Sequence, residues 1–312
     1  ACVLMCDRDD TATLKRAMRS GARMVLTPLT APEELAASLR DLAKLKQRKE
    51  EPEYRIITDP SSFPCTLALV SARDGVGKST LCVNLACALA QRAPDQVVVV
   101  DLCGQYGSVA LLLNLRPTHS VVDLASFAAD MDTDLVETFL ERHPSGVRVL
   151  AGGTRPDPAW TDALSVHFIA SLLSLLRKRY RYIICDVPSL VWPGSLYVMT
   201  RAQHCLVLAS LCDVTGVREV AALMDAVAPS HLPPENLRLI VTRTGGHEWF
   251  SEEDVRNATR REIWHSIPND AATIIPAAKE GAVVVTSKPT SAYARSVSAL
   301  ADKIIKHNME AA

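Results

Sequence analysis

Aromatic side chains are scarce in this chain, 5% of 312 residues, and its four tryptophans (Trp160, Trp192, Trp249 and Trp264) are scattered. No base-stacking platform is implied. Net charge is nearly absent as well, with 34 Lys and Arg against 35 Asp and Glu. Nothing global therefore draws the protein to nucleic acid or to an anionic membrane. No apolar run reaches the roughly 18 residues of a membrane-spanning helix, and no signal peptide is visible. The nine cysteines form no C-x-x-C pair, and no His pair sits at zinc-finger spacing. Most lie in apolar runs, where a free Cys behaves as a small hydrophobe. They read as reduced thiols of a cytoplasmic protein. Repeats and low-complexity tracts are absent. The chain begins at Ala1 rather than Met, which reads as a trimmed N-terminus or a start inside a domain.

What is present is ordinary globular material, 48% hydrophobic and 22% charged. The length suits two domains, one of them partial. Residues 1–46 read as strand, helix, strand, helix: strands over Ala1–Cys6 and Arg23–Leu26, helices over Thr11–Ser20 and from Thr30 onward. The second helix opens on a hydroxyl cap candidate, a Pro and two acids. Residues 47–64 read as a linker, and 65–312 as the second domain. There, strands are expected at Thr66–Ser71, Val97–Asp101, Val147–Ala151, Tyr182–Asp186, Cys205–Ala209, Leu237–Thr242 and Ile263–Ile267. Amphipathic helices are expected at Lys78–Gln91, Ser165–Arg179, Val217–Val227 and Ser291–Lys306. Continuous apolar runs such as Val97–Val100 belong to strands buried on both faces. The fold class is therefore α/β, a mostly parallel doubly wound sheet.

The first strand of that domain runs into Arg73-Asp-Gly-Val-Gly-Lys-Ser-Thr80, and a helical pattern follows. A strand, a Gly-containing loop and a helix N-terminus form an anion site, because loop amides and the helix dipole both favour negative charge. Asp74, Gly75, Val76 and Gly77 would supply the cradle, and Lys78 would bridge the β- and γ-phosphates. Ser79 would place its hydroxyl on Mg²⁺, and Thr80 would bond a nearer phosphate. The strict pattern G-x-x-x-x-G-K-[ST] is not met, since Ala72 occupies its first Gly position. Asp101 and Asp186 each end a buried strand, where ligands of such sheets bind. Asp186 is the Mg²⁺ candidate. The cofactors read here are ATP and Mg²⁺.

Arg73–Thr80 resembles the deviant Walker A motif of the MinD/ParA family, written Lys-Gly-Gly-x-Gly-Lys-[Thr/Ser]. The stretches Asp101–Ala110, Arg116–Asp123 and Ser266–Asp270 resemble the pilus-assembly branch of that family, known as CpaE or TadZ. Residues 1–45 resemble the second half of a response-regulator receiver domain. The resemblance implies a P-loop fold and a nucleotide-bound homodimer. It also implies docking to pilus and secretion assembly proteins, with recruitment to the inner face of the membrane or to a cell pole. It places Lys78, Asp101 and Arg73 in catalytic positions, and Thr242, Arg243 and Pro268 at the nucleotide.

Four positions depart from the family pattern. Arg73 stands for the lysine that reaches across the dimer, and its planar fork differs in reach. Asp74 replaces a Gly. Cys103 replaces the acid that organises the attacking water, and a neutral thiol is a poor substitute. Thr242 replaces the adenine-reading Asn. In the receiver-like half, Thr27 before Pro28 stands where a Lys is expected, so phospho-signalling is not implied and the segment reads as a docking surface. These departures favour ATP binding with slow or absent hydrolysis. The competing readings are an active ParA-type ATPase moving DNA or other cargo and an iron-sulfur relative. The last would need an interface cysteine pair, and Cys185 sits in a strand pattern. The apolar stripe Tyr293, Val297, Leu300 and Ile304 suits a core-docking helix better than a membrane helix, because few cations flank it. Arg256, Arg260 and Arg261 read as a solvated basic face.

Overall fold

The computed structural model describes residues 2–5, 22–26, 64–213, 215–227, 234–246 and 248–310. The chain divides into two compact units, Ala1–Arg55 and Ile56–Ala312. In the first, β1 (Cys2–Met5) pairs in parallel with β2 (Ala22–Leu26), Val3 opposite Met24 and Met5 opposite Leu26. A parallel pair needs a crossover connection between its strands. The expected helices at Thr11–Ser20 and after Thr30, the Thr27–Pro28 pair and the linker up to residue 63 lie outside the described residues.

The second unit is built on a sheet of eight strands. They are β3 (Cys65–Ser71), β4 (Val97–Asp101), β5 (Glu141–Arg142), β6 (Arg148–Leu150), β7 (Tyr182–Asp186), β8 (His204–Ser210), β9 (Leu237–Thr244) and β10 (Ile263–Pro268). Their spatial order is β10-β9-β8-β3-β7-β4-β6-β5. Every pairing is parallel except the two-residue β5–β6 edge. The expected α/β parallel architecture is thus the one observed. The chain leaves β3 for β4, skipping the slot that β7 later fills, and afterwards builds outward through β8, β9 and β10. The topological switch therefore lies at β3, and the crevice at its carboxyl end is where ligands of such sheets bind.

Alternation within the strands supplies two cores, one on each face. Ala68 and Val70, Val98 and Val100, and Ile183 and Cys185 point to one face. Leu67 and Leu69, Val97 and Val99, and Tyr182 and Ile184 point to the other. Helices Val166–Leu176, Pro193–Arg201 and Gly216–Val227 cover the first face, and helices Lys78–Ala90 and Ala292–Glu310 cover the second. Helix Lys78–Ala90, expected to be amphipathic, is instead buried almost all round, because the sheet lies on one side of it and the C-terminal helix on another. Its one buried amide, Asn84, donates to the Thr80 carbonyl at 2.9 Å and accepts from the Val285 N–H at 3.1 Å. The stripe Tyr293, Val297, Leu300 and Ile304 is fully buried against this core.

The expected elements recur with shifted ends. Helix Ser165–Arg179 stops at Leu176, and the last helix runs on to Glu310. Ser165 and Ser251 cap their helices, each accepting from the amide three residues on.

Candidate functional site

The loop after β3 begins on a buried strand and ends on a helix whose first turn has no side-chain cap. The leading amides of that helix therefore point outward without a capping side chain, which is the arrangement that receives an anion. Gly77 caps it at φ 92, and Gly75 sits at φ 83. Only glycine adopts such angles cheaply. A Cβ built on either would meet nothing within 4 Å, so the loop is an open cradle rather than a packed turn. Ser79 and Thr80 stand half-buried at the helix start.

Lys78 is 8% exposed. Its ammonium donates to the Val187 carbonyl at 2.5 Å and lies 3.4 Å from Asp186 Oδ1. That oxygen is buried and accepts no hydrogen bond. A buried carboxylate oxygen that meets the Lys78 ammonium without a hydrogen bond, beside an open amide cradle, fits a phosphate-bound cation, with Ser79 as the hydroxyl ligand.

Asp101 and Asp186 are register partners at the ends of β4 and β7, so their Cα atoms stand about one strand spacing apart, ~4.8 Å. Asp101 is fully buried and accepts from the Cys103 amide at 3.0 Å and the Val109 amide at 3.2 Å. Burial above all, and then the Asp186 charge, raise its carboxyl to about 7. Backbone seals it in: a Cβ on Gly152 would lie 2.7 Å from the Asp101 carboxyl carbon, and one on Gly107 would lie 2.8 Å from its Oδ2. Asp101 thus organises the turn that follows β4. Cys103, half-buried in that turn, donates its thiol to the Gln105 carbonyl. Burial and the Asp101 charge push the thiol further up, so it holds its proton at neutral pH.

The remaining predicted residues gather around the same loop. Arg73 is half-exposed and turns back within its own chain, donating to Thr215 at 2.7 Å and Asp213 at 3.3 Å and forming an ion pair with Glu219 at 3.1 Å. Asp74 accepts from the Ser189 hydroxyl at 2.7 Å, and Ser189 also meets Ser71 Oγ at 3.1 Å. The Thr242 hydroxyl donates to the Val76 carbonyl at 3.2 Å, and Arg243 donates to the Gly75 carbonyl at 2.6 Å. Both therefore brace the loop from the β9 side. Pro268 ends the neighbouring strand β10. Sequence reasoning missed Ser189, the Val187 carbonyl and the Asp213–Glu219 acids. Their contacts span more than a hundred residues, and no local pattern announces them. Gly152-Gly153 straight after a strand was the readable hint of a close backbone approach.

The family described as the CobQ/CobB/MinD/ParA nucleotide binding domain matches residues 67–282. The septum site-determining protein MinD of Synechocystis sp. is 26% identical over 234 residues, 71% of this chain and 82% of its own. A ParA family protein of Chlamydia muridarum is 25% identical over 53% of this chain and 67% of its own. Among solved structures, a ParA family ATPase from Chlorobium tepidum aligns with a TM-score of 0.68 at 18% identity, covering 77% of this chain and 98% of that one. MinD from Pyrococcus horikoshii, complexed with Mg-ADP, aligns at 0.66 and 19%, covering 78% and 97%.

Proposed function

This chain belongs to the CobQ/CobB/MinD/ParA nucleotide-binding domain family, and from that premise we propose that it binds ATP and Mg²⁺ at Asp74–Thr80 and acts as a nucleotide-held scaffold with weak or absent hydrolysis. Gly75, Val76, Gly77, Lys78 and Thr80 hold the phosphates. Ser79 and Asp186 would hold the cation, whose chemistry there would be to neutralise phosphate charge. With nucleotide bound, Lys78 would turn from the Val187 carbonyl to the phosphates, and Asp186 would hold the cation in place of the ammonium. Thr242 and Arg243 act on the nucleotide through the loop they brace, and Pro268 flanks the base.

The observation that carries the scaffold reading is the protonated, hydrogen-bonded thiol of Cys103 where the family's water-organising acid belongs. Losing such a group costs about 10²–10⁴ in rate. Arg73 adds to it. Its pairing within its own chain satisfies in cis the charge that the family uses across a dimer.

The role we assign is localisation of Tad (Flp) pilus assembly: an ATP-stabilised homodimer docking to assembly proteins at the inner membrane face or a cell pole. The support is the likeness of Asp101–Ala110, Arg116–Asp123 and Ser266–Asp270 to CpaE and TadZ, and of the N-terminal segment to a receiver domain. A fluorescent fusion tests it. It should gather in foci in cells bearing the pilus genes, and Lys78→Ala should disperse those foci and remove the pili. Foci that follow the nucleoid, with salt-sensitive DNA binding in vitro, would instead support the alternative of an active ParA/MinD-type ATPase. The family's other named members favour that alternative.

A further inference from the structure

At the end of the sheet opposite Lys78, the first residues of β9 and β10 line a hollow of about 390 Å³. Arg238, Arg260, Arg261 and Lys303 converge on it around Trp264. Lys303 donates to the Trp264 carbonyl at 2.6 Å, and its ammonium lies 4.7 Å from the ring centroid. The Arg238 guanidinium lies 5.2 Å from the same ring, and His204 stacks on it at 5.6 Å. Glu262, the one acid in the lining, has a 93% exposed side chain and lies 3.7 Å from Arg256. Arg238 Nε and His204 Nδ1 are buried without a hydrogen-bond partner among the described residues.

We infer that this hollow is a second anion site, built for a phosphate-bearing ligand and separate from the nucleotide loop. Guanidinium forks match phosphate oxygens in pairs, and a concave site of this volume suits a small ligand. A nucleic-acid track fits less well, because the cations meet in one hollow rather than along a stripe. The ring of Trp264 is also engaged by His204, Arg238 and Lys303, which leaves no platform for a base. Burial, with Arg238 and His307 behind it, takes His204 to about 4, and burial and Arg238 lower Lys303.

The test is calorimetric titration of inorganic pyrophosphate into the full chain carrying Lys78→Ala, which weakens the phosphate loop. The expected result is saturable binding that falls at least tenfold in Arg260→Glu/Arg261→Glu, a surface pair whose folding is checked by melting, and again in Arg238→Met. Sedimentation with vesicles containing phosphatidic acid distinguishes the source. Binding that Arg261→Glu removes and pyrophosphate displaces assigns the phosphate to a lipid headgroup, and its absence assigns it to a soluble compound. Absence of saturable pyrophosphate binding, equal affinity in the arginine variants, or binding of duplex DNA that pyrophosphate does not displace would overturn the inference.

Discussion

Two corners of the same sheet edge differ sharply. At the end of β3 every group that a phosphate would need is in place: two glycines at positive φ, an uncapped helix start, and Lys78 poised beside Asp186. At the end of β4 the strand delivers its carboxylate, Asp101, into a sealed backbone box, and the next polar position is the thiol of Cys103. On the proposed reading the first corner holds a nucleotide, and the second carries a thiol where the resemblance implies a water-organising acid. On that reading holding and cutting are separable, with binding resting on backbone amides and Lys78 and hydrolysis on an acid that position 103 does not supply.

The largest expected effect restores the second corner. Cys103→Asp should raise ATP turnover by about 10²–10⁴, the usual worth of a water-positioning group, read as phosphate release at saturating ATP. No gain would place the deficit elsewhere. Next comes the first corner. Lys78→Ala removes a charge-assisted bond of about 3 kcal/mol and should weaken ATP roughly a hundredfold in a calorimetric titration. Unchanged affinity would break the contrast altogether.

Protonation sharpens it further. Asp101 is raised from 3.8 to about 7, so the folded chain keeps a proton that the unfolded chain has released. Its contribution to stability is full below about pH 4 and is lost as pH rises through about 7. Asp101→Asn should flatten the decline of denaturation midpoint across that window. An unaltered slope would show that the carboxyl titrates alike in both states. The smallest effect concerns Arg73. Its partners are half-exposed, so Asp213→Ala should cost less than about 1 kcal/mol in urea unfolding. A larger loss would mean that the arginine pins the whole loop.

Much of this was legible beforehand because double-sided burial leaves its mark on sequence. Val97–Asp101 and Tyr182–Asp186 begin and end where their apolar runs do. The loop was legible because two glycines, Lys78 and a hydroxyl pair lie between a buried strand and a helix start, the context an anion cradle needs. The edge strand Glu141–Arg142 was not, being two polar residues long. Helix Pro193–Arg201 was also missed. Its N-cap is Trp192, a poor propensity signal, although Pro193 in the first turn was the available cue. The hydrogen bond from the Thr242 hydroxyl to the Val76 carbonyl was not legible either, being a contact across the sheet that no window of sequence contains.

The central claim, binding without cutting, is tested most directly by mixing the wild-type chain with a limiting amount of ATP and Mg²⁺ and following the γ-phosphate over a single turnover. The account predicts ATP that is bound through Lys78 and stays intact for far longer than the binding step takes. Prompt release of phosphate, lost on Lys78→Ala, would contradict it and would show that a group other than an acid at position 103 aims the water.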